Sequence, residues 1–171
     1  MNVRKARPDD APLIAELVDL GAREGQLLPR SLDAIRTTIG NWVVAEENGR
    51  IVGCGSLLDM SPVLGEVRSL AVAPAYRHNG VGAKLVTALI DQARARRVPT
   101  VFALTRAVTF FEKLGFEVAA KENFPEKVWR DCLNCPVRFA CDETAVMKSI
   151  GAELTSTKDT KRRSDQSLRV P

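Results

Sequence analysis

The feature that most restricts how this 171-residue chain can fold is a glycine-containing loop between a β-rich run and a long amphipathic helix. The run 66–73 ends at Pro74, and apolar residues recur at three- and four-residue steps after Gly82. Between them lies the pattern Arg77-x-x-Gly80-x-Gly82. The first N–H groups of a helix lack intrahelical acceptors, and glycines let a ligand approach them without a Cβ in the way. The loop therefore predicts a binding site for an anion such as a pyrophosphate.

Two familiar phosphate-binding motifs do not fit this loop. A dinucleotide-binding Rossmann motif needs a third glycine, but Leu85 stands at that position. A P-loop needs Gly-Lys-Ser/Thr, but Gly82 is followed by Ala83 and Lys84. A bare Gly-x-Gly also occurs in ordinary turns, so a turn without a ligand stays open as the alternative.

The order of the other elements predicts the fold class. Strands are expected at 2–7, 42–46, 51–58, 66–73, 101–104 and 116–119, with a closing strand around Val146 and Met147. Helices are expected at 9–24, 31–39 and 107–114 as well as after Gly82, and 121–143 is interpreted as irregular. This order predicts an α/β (α+β) fold, in which a mixed sheet of about six to seven strands carries helices on both faces. We expect one domain over residues 1–150 and a polar, disordered tail over 151–171.

Composition excludes some classes of function. Lys and Arg number 25 against 21 Asp and Glu, which is too small a surplus for a nucleic-acid-binding surface. No apolar run approaches the roughly 20 residues of a membrane-spanning helix. The first ten residues lack the apolar core of a signal peptide, so a cytoplasmic location is expected.

Two motifs together carry a family resemblance. The strand, Arg77-x-x-Gly80-x-Gly82 and the helix resemble the coenzyme A pyrophosphate motif of the GNAT N-acetyltransferase superfamily. The segment 107–116, AVTFFEKLGF, is similar to the late helix-to-strand motif of that superfamily. The resemblance covers about residues 2–150. It implies the GNAT fold, acetyl-CoA as co-substrate, acetyl transfer to an amine, and a homodimer as one possible assembly.

The resemblance also implies how the cofactor is held. The strand before the loop would splay from its neighbour, and the pantetheine arm would lie in the gap and pair with the main chain of Leu70, Ala71 and Val72. The other residues expected near the cofactor are Arg77, His78, Asn79, Gly80, Val81, Gly82, Ala83 and Phe111. Of these, His78 is interpreted as a neighbour of the phosphates or a solvated side chain.

Acetyl transfer needs a neutral amine, so a group must accept a proton directly or through water. Glu66, at the start of the central strand, is the candidate base. Many superfamily members carry a tyrosine where this chain has Phe111, and its phenol is thought to protonate the leaving thiolate. Here Ser69 or water is expected to do so, or the thiolate leaves unassisted.

Three further segments resemble N-acetylglutamate synthases. They are QLLPRS at 26–31, EVRSLAV at 66–72 and FPEKVWRDC at 124–132, the last being similar to the short, single-domain bacterial form. The resemblance implies L-glutamate as the small-molecule partner and the first step of arginine biosynthesis. A dicarboxylate needs fixed cations, and the candidates are Arg30 and, more weakly, Arg68, Lys127 and Arg138. Another small amine, a protein N-terminus or a non-catalytic acyl-CoA-binding role stay open as alternatives.

Three cysteines are clustered at Cys132, Cys135 and Cys141. Their spacing is typical of three quarters of a zinc site, which Asp142 or Cys54 would have to complete. A second Cys-x-x-Cys pair is absent from the sequence, and free thiols are the usual state in a cytosolic protein, with a disulfide as the oxidised alternative. No metal is therefore assigned to these residues.

Overall fold

The computed structural model of the chain describes residues 1–130, 132–135 and 138–151. Apart from Gly151, the tail predicted at 151–171 lies outside the described residues. No helix in the described ranges is long and apolar enough to cross a membrane.

Seven strands and five α-helices make up the described fold. The strands are β1 (Asn2–Lys5), β2 (Trp42–Glu47), β3 (Arg50–Ser61), β4 (Leu64–Val72), β5 (Thr100–Thr105), β6 (Glu117–Ala119) and β7 (Thr144–Ser149). The helices are α1 (Ala11–Arg23), α2 (Leu32–Thr37), α3 (Val81–Ala95), α4 (Val108–Glu112) and α5 (Pro125–Arg130).

The strands form one mixed sheet in the order β1-β2-β3-β4-β5-β7-β6. The pair β4–β5 is parallel, and the other neighbouring strands are antiparallel. A parallel pair needs a crossover connection, and the long helix α3 provides it. The predicted mixed sheet of six to seven strands is confirmed.

Helices cover both faces of this sheet, because side chains alternate between the faces along each strand. On one face, Val67 of β4 and Val101 of β5 pack with Leu85 and Leu89 of α3. We call this the α3 face. The opposite face, the α1 face, carries the cluster of Ile14, Val18, Ile35, Trp42, Val44 and Cys54 from α1, α2, β2 and β3. Further along that face, the ring of Phe124 stacks on the ring of Phe102 at a centroid distance of 4.2 Å.

The segment 121–143 is not irregular throughout, as the sequence interpretation expected. It contains α5 and the short 3-10 turns Lys121–Asn123, Cys132–Asn134 and Arg138–Ala140. Proline is favoured in the first turn of a helix because its missing N–H has no intrahelical acceptor there. Pro125 therefore suits the start of α5. The closing strand is also longer than expected and runs over Thr144–Ser149, between β5 and β6.

Candidate active site

The centre of the sheet contains a gap between β4 and β5. Only three residue pairs join the two strands, Leu64 with Thr100, Gly65 with Val101 and Glu66 with Phe102. Beyond Glu66 the two strands continue without pairing to each other. Main-chain groups on the facing edges are thus left for another partner. This is the splayed geometry that the family resemblance implies, and Leu70, Ala71 and Val72 lie along it.

A β-bulge at Ser69 accompanies the gap. A step of two residues along β3, from Cys54 to Ser56, is matched by a step of three along β4, from Ala71 to Arg68. Ser69 adopts a left-handed φ of 53° and is 8% exposed. A bulge bends its strand and increases the local twist, so we attribute the departure of β4 from β5 to it. The sequence carries no signal for this bulge, because serine has no special preference for a left-handed φ.

The loop before α3 has the geometry of an anion site. His78 and Gly80 have φ values of 66° and 76°, and Gly80 is the N-cap of α3. The first bond of the helix is donated by the Lys84 N–H to the Gly80 carbonyl at 3.2 Å. The N–H groups of Val81, Gly82 and Ala83 therefore precede every intrahelical acceptor, at the positive end of the helix dipole. His78, Asn79 and Gly80 are exposed, so solvent and ligands reach this end of the helix.

Gly82 has a second role that the sequence pattern did not reveal. A Cβ at this position would lie 3.3 Å from the ring atom Cζ of Phe110 in α4. Glycine at this position thus also suits the close packing of α4 against the start of α3, because a larger side chain would displace the Phe110 ring. The two segments that carry the family resemblance contact each other at this point.

Arg77 is engaged by the protein itself. Its Nη2 atom donates to Oε2 of Glu24 at 2.7 Å, and its Nε atom donates to the carbonyl of Val72 at 3.0 Å. The guanidinium therefore joins the loop to the end of α1 and to the last residue of β4. In this arrangement the anion site is made of main-chain N–H groups.

Glu66 and Lys127 form a buried ion pair. The Oε1 atom of Glu66 lies 2.6 Å from Nζ of Lys127, and the two side chains are 3% and 8% exposed. The second carboxylate oxygen, Oε2, is also buried, and no hydrogen-bond partner for it occurs among the described residues. Lys127 was predicted to bind the substrate, but the structure places its ammonium against the candidate base. The chain offers no local signal for this contact between residues so far apart in sequence.

Arg30 has the property expected of a ligand-binding arginine. It lies in the segment between α1 and α2, and its Nε atom is buried without a hydrogen-bond partner in the part of the chain that the structure describes. Ser31, the next residue, caps α2 by accepting a hydrogen bond from the Ala34 N–H at 3.2 Å. A buried donor without an acceptor is costly, so this site favours an incoming acceptor such as a carboxylate.

The other predicted substrate-binding residues differ in position. Arg68 follows Glu66 by two residues before the bulge, so both lie on the α1 face of β4. It is partly exposed and makes an interaction of its own. Arg138 begins the 3-10 turn Arg138–Ala140, and its side chain lies outside the described part of the structure.

An arginine that sequence reasoning missed connects the end of β5 with the end of α1 and with the segment before β7. Nη1 of Arg106, just after β5, donates to the carbonyl of Gly25 at 3.1 Å, and Nε donates to Oδ1 of Asp142 at 2.6 Å. This hydrogen bond holds the pKa of Asp142 below its usual range. The start of the α1–α2 segment is thus held from both sides, by Arg77 at Glu24 and by Arg106 at Gly25.

Phe111 lies in the core under the α3 face and is 4% exposed. Its ring makes edge contacts with Phe110 and Phe116, each at 5.1 Å between centroids. The predicted contact of Phe111 with the cofactor stays a prediction. Ser69, the other candidate proton donor, lies three residues beyond Glu66 on β4.

The cysteines lie in two environments. Cys54 is buried under the α1 face, and this burial raises the pKa of its thiol to about 12. Cys132 and Cys135 share a 3-10 turn, whereas Cys141 lies 3.4 Å from Nζ of Lys121. Within the described ranges, no group of three or more His, Cys, Asp or Glu side chains is placed to hold a metal ion.

Comparisons with known proteins agree with this geometry. Residues 14–116 match the model of the acetyltransferase (GNAT) family. An uncharacterized N-acetyltransferase of Chlorobaculum tepidum is 40% identical over 148 residues, which cover 86% of this chain and 96% of that protein. The amino-acid acetyltransferase of Mycobacterium tuberculosis is 38% identical over 117 residues, 67% of each chain.

Among solved structures, N-acetylglutamate synthase from Neisseria gonorrhoeae, complexed with coenzyme A and N-acetyl-glutamate, superposes with a TM-score of 0.76 at 26% identity. The match covers 88% of this chain but only 35% of that one. The chain likewise spans about 30% of the length of the amino-acid acetyltransferase of Neisseria meningitidis that it matches.

The splayed strands, the open N-terminus of α3 and the family match over more than half of the residues lead to one conclusion. The chain belongs to the acetyltransferase (GNAT) family and is an acetyl-CoA-dependent N-acetyltransferase.

Proposed function

We propose that this enzyme transfers the acetyl group of acetyl-CoA to the α-amino group of L-glutamate, the first step of arginine biosynthesis. The observation that carries the proposal is Arg30, whose buried Nε lacks an acceptor in the described structure. The names of the relatives from Mycobacterium and Neisseria support an amino-acid acceptor. Acetyl-CoA and free glutamate are cytoplasmic metabolites, so the proposed reaction belongs to the cytoplasm.

The cofactor would occupy the gap and the start of α3. The pantetheine arm would lie along Leu70 and Ala71, pairing with main-chain groups that β5 does not use. The pyrophosphate would accept hydrogen bonds from the N–H groups of Val81, Gly82 and Ala83, where the helix dipole favours negative charge. Since main-chain groups do this work, the cofactor site depends little on side-chain identity.

The acceptor would lie on the α1 face, beside Glu66. The guanidinium of Arg30 would bind one carboxylate of glutamate, and Arg68, on the same face of β4, would add positive charge. Both cations favour an anionic amino acid over a polyamine. This selection is electrostatic, so it acts on the charge of the acceptor more than on its shape.

Glu66 would act as general base. The amine nitrogen attacks the thioester carbonyl carbon, the proton from nitrogen passes to Glu66 directly or through a water molecule, and the C–S bond breaks. The thiolate leaves as coenzyme A after taking a proton from water or from Ser69, and in the second case the Ser69 hydroxyl regains its proton from protonated Glu66 through water. The carboxylate at the closed end of the gap is the side chain of the described site best suited to accept the proton.

An acceptor panel tests the proposal. Release of free coenzyme A thiol is followed with L-glutamate, L-aspartate, L-glutamine and spermidine at equal concentrations. We expect the highest kcat/KM with L-glutamate. Turnover of spermidine or L-glutamine at an equal or higher kcat/KM would refute the assignment.

The arginine that carries the proposal has its own test. Arg30→Ala is expected to raise the KM for L-glutamate by about 10-fold to 100-fold, the loss of one charge-assisted contact, while the KM for acetyl-CoA changes little. Arg50→Ala is the matched control, since Arg50 is exposed at the start of β3. An unchanged KM for glutamate in Arg30→Ala would remove Arg30 from the acceptor site.

A further inference from the structure

The candidate base Glu66 belongs to a group of contacting residues from β4, β5 and the start of α5. Glu66 is paired in register with Phe102, the last such pair between β4 and β5. The ring of Phe124 stacks on Phe102 with planes only 6° apart. Phe124 directly precedes α5, and the Lys127 N–H donates to its carbonyl at 3.1 Å. One stacking contact thus docks α5 on the sheet and places Lys127 over Glu66.

The burial of Lys127 argues against a direct role in binding the acceptor. Its side chain is 8% exposed, and its ammonium lies 2.6 Å from Oε1 of Glu66. An ammonium can leave water at tolerable cost only when a nearby anion and further hydrogen bonds compensate it. The compensating anion here belongs to the protein, so a substrate carboxylate would have to displace it.

The same contact restricts the carboxylate of Glu66. The ammonium of Lys127 holds Oε1. The carboxylate therefore cannot rotate and exchange its two oxygens without breaking the buried ion pair. The remaining oxygen, Oε2, is buried and without a partner among the described residues. It is therefore the oxygen left to accept a proton.

We propose that Lys127 is a positioning residue for the acetyl-transfer reaction: its ammonium fixes Oε1 of Glu66 and leaves Oε2 as the oxygen that accepts the proton of the acceptor amine. The inference rests on the proposed role of Glu66 as general base. It assigns Lys127 to the turnover step and leaves binding of the acceptor to Arg30.

Kinetics of Lys127→Met, Glu66→Gln and the double variant test this role. Methionine keeps the length of the lysine stem and removes its charge. A general base contributes about 10²-fold to 10⁴-fold, so loss of its positioning is expected to lower kcat at least tenfold in Lys127→Met. The KM for glutamate should change less than about threefold, because an interaction confined to the transition state affects kcat and not binding.

Non-additivity separates positioning from a general structural effect. In the Glu66→Gln background, Lys127→Met should lower kcat by less than about twofold, because residues that act as a unit are not additive. Lys127→Arg, which keeps a cation, should retain more of kcat than Lys127→Met. Lys113→Met is the matched control, since Lys113 is exposed just after α4.

Two results would overturn the inference. A raised KM for glutamate with unchanged kcat in Lys127→Met would make Lys127 a substrate-binding residue. An equal loss of kcat in the wild-type and Glu66→Gln backgrounds would show that it acts independently of Glu66. If Lys127→Met does not fold, Lys127→Arg measured in the wild-type and Glu66→Gln backgrounds gives both comparisons. If the wild-type enzyme prefers another amine, the proposed acceptor is wrong, and the same comparison with that amine still decides the role of Lys127.

Discussion

Removing the ammonium of Lys127 from its buried ion pair with Glu66 should strongly destabilise the protein. In Lys127→Met the carboxylate of Glu66 stays among apolar neighbours: Leu58 and Phe102, its register partners, are 8% and 0% exposed. Breaking a buried pair by removing one partner costs about 3–5 kcal/mol. For a chain of this length, that is a fall in Tm of roughly 6–20 °C.

The free energy of unfolding should recover when both charges of the pair are removed. Replacing a buried ion pair by apolar side chains of similar volume is often neutral or stabilising. Glu66→Met combined with Lys127→Met should therefore have a free energy of unfolding within about 1 kcal/mol of the wild type. The double variant recovers stability while losing activity, since it lacks the proposed base.

Urea denaturation at pH 7.5, followed by circular dichroism, measures these differences. The slope of the free energy against urea should stay constant across the set, because the surface exposed on unfolding is unchanged. Lys113→Met, at an exposed position, should stay within about 0.5 kcal/mol of wild type. A Lys127→Met variant within about 1 kcal/mol of wild type, or a double variant as unstable as the single one, would refute the reasoning from burial.

Three further predictions concern other parts of the molecule. The arginine at position 4 donates to both oxygens of Asp10, at 2.7 and 3.0 Å, and lowers the pKa of Asp10. Because the folded pKa lies below the unfolded value of about 3.9, this stabilisation is present above about pH 4 and is lost as the pH falls further. Asp10→Asn should cost about 1–3 kcal/mol in urea denaturation at pH 7, and a difference that does not shrink below pH 4 would contradict this. Gly82→Val, which crowds Phe110 and the start of α3, should raise the KM for acetyl-CoA at least about tenfold, whereas Gly40→Ala, with open space around it, should not. In a variant whose other three cysteines are serine, Cys54, with its pKa of about 12, should react with a thiol reagent at pH 8 only in denaturant; labelling of the folded protein would contradict its burial.

Local patterns in the sequence predicted the strand β4, the loop after it and the helix α3. The strand before Pro74, the two glycines and the periodic helix follow one another along the chain, so they can be recognised without knowledge of the fold. The strands expected at 42–46 and 51–58 are local in the same sense, because the dipeptide Asn48-Gly49 between them is a turn signal. These strands, turns and helices were predictable because the residues that determine them lie close together in the sequence, within about one helix length.

The parts of the site that were not predicted depend on contacts between distant segments. The pairing of Glu66 with Lys127 requires α5 to dock through the stack of Phe124 on Phe102. With six residues, α5 is too short for a convincing helical period. The bulge at Ser69 is defined by the register between β3 and β4, which is a property of two strands and not of one. Tertiary packing decides such features.

The bulge at Ser69 and the gap beside it have a consequence for the evolution of specificity. Acetyl-CoA, which donates the acetyl group, is expected to be bound by main-chain groups. These groups do not change when the side chains do. The acceptor is expected to meet side chains, chiefly that of Arg30 in the α1–α2 segment, which lies outside the strands that form the gap. Residues 26–31, which follow the contacts of Glu24 with Arg77 and of Gly25 with Arg106, can therefore diverge without disturbing the cofactor site. One scaffold can acquire new acceptors by exchange of a single loop, while its donor and its chemistry stay the same.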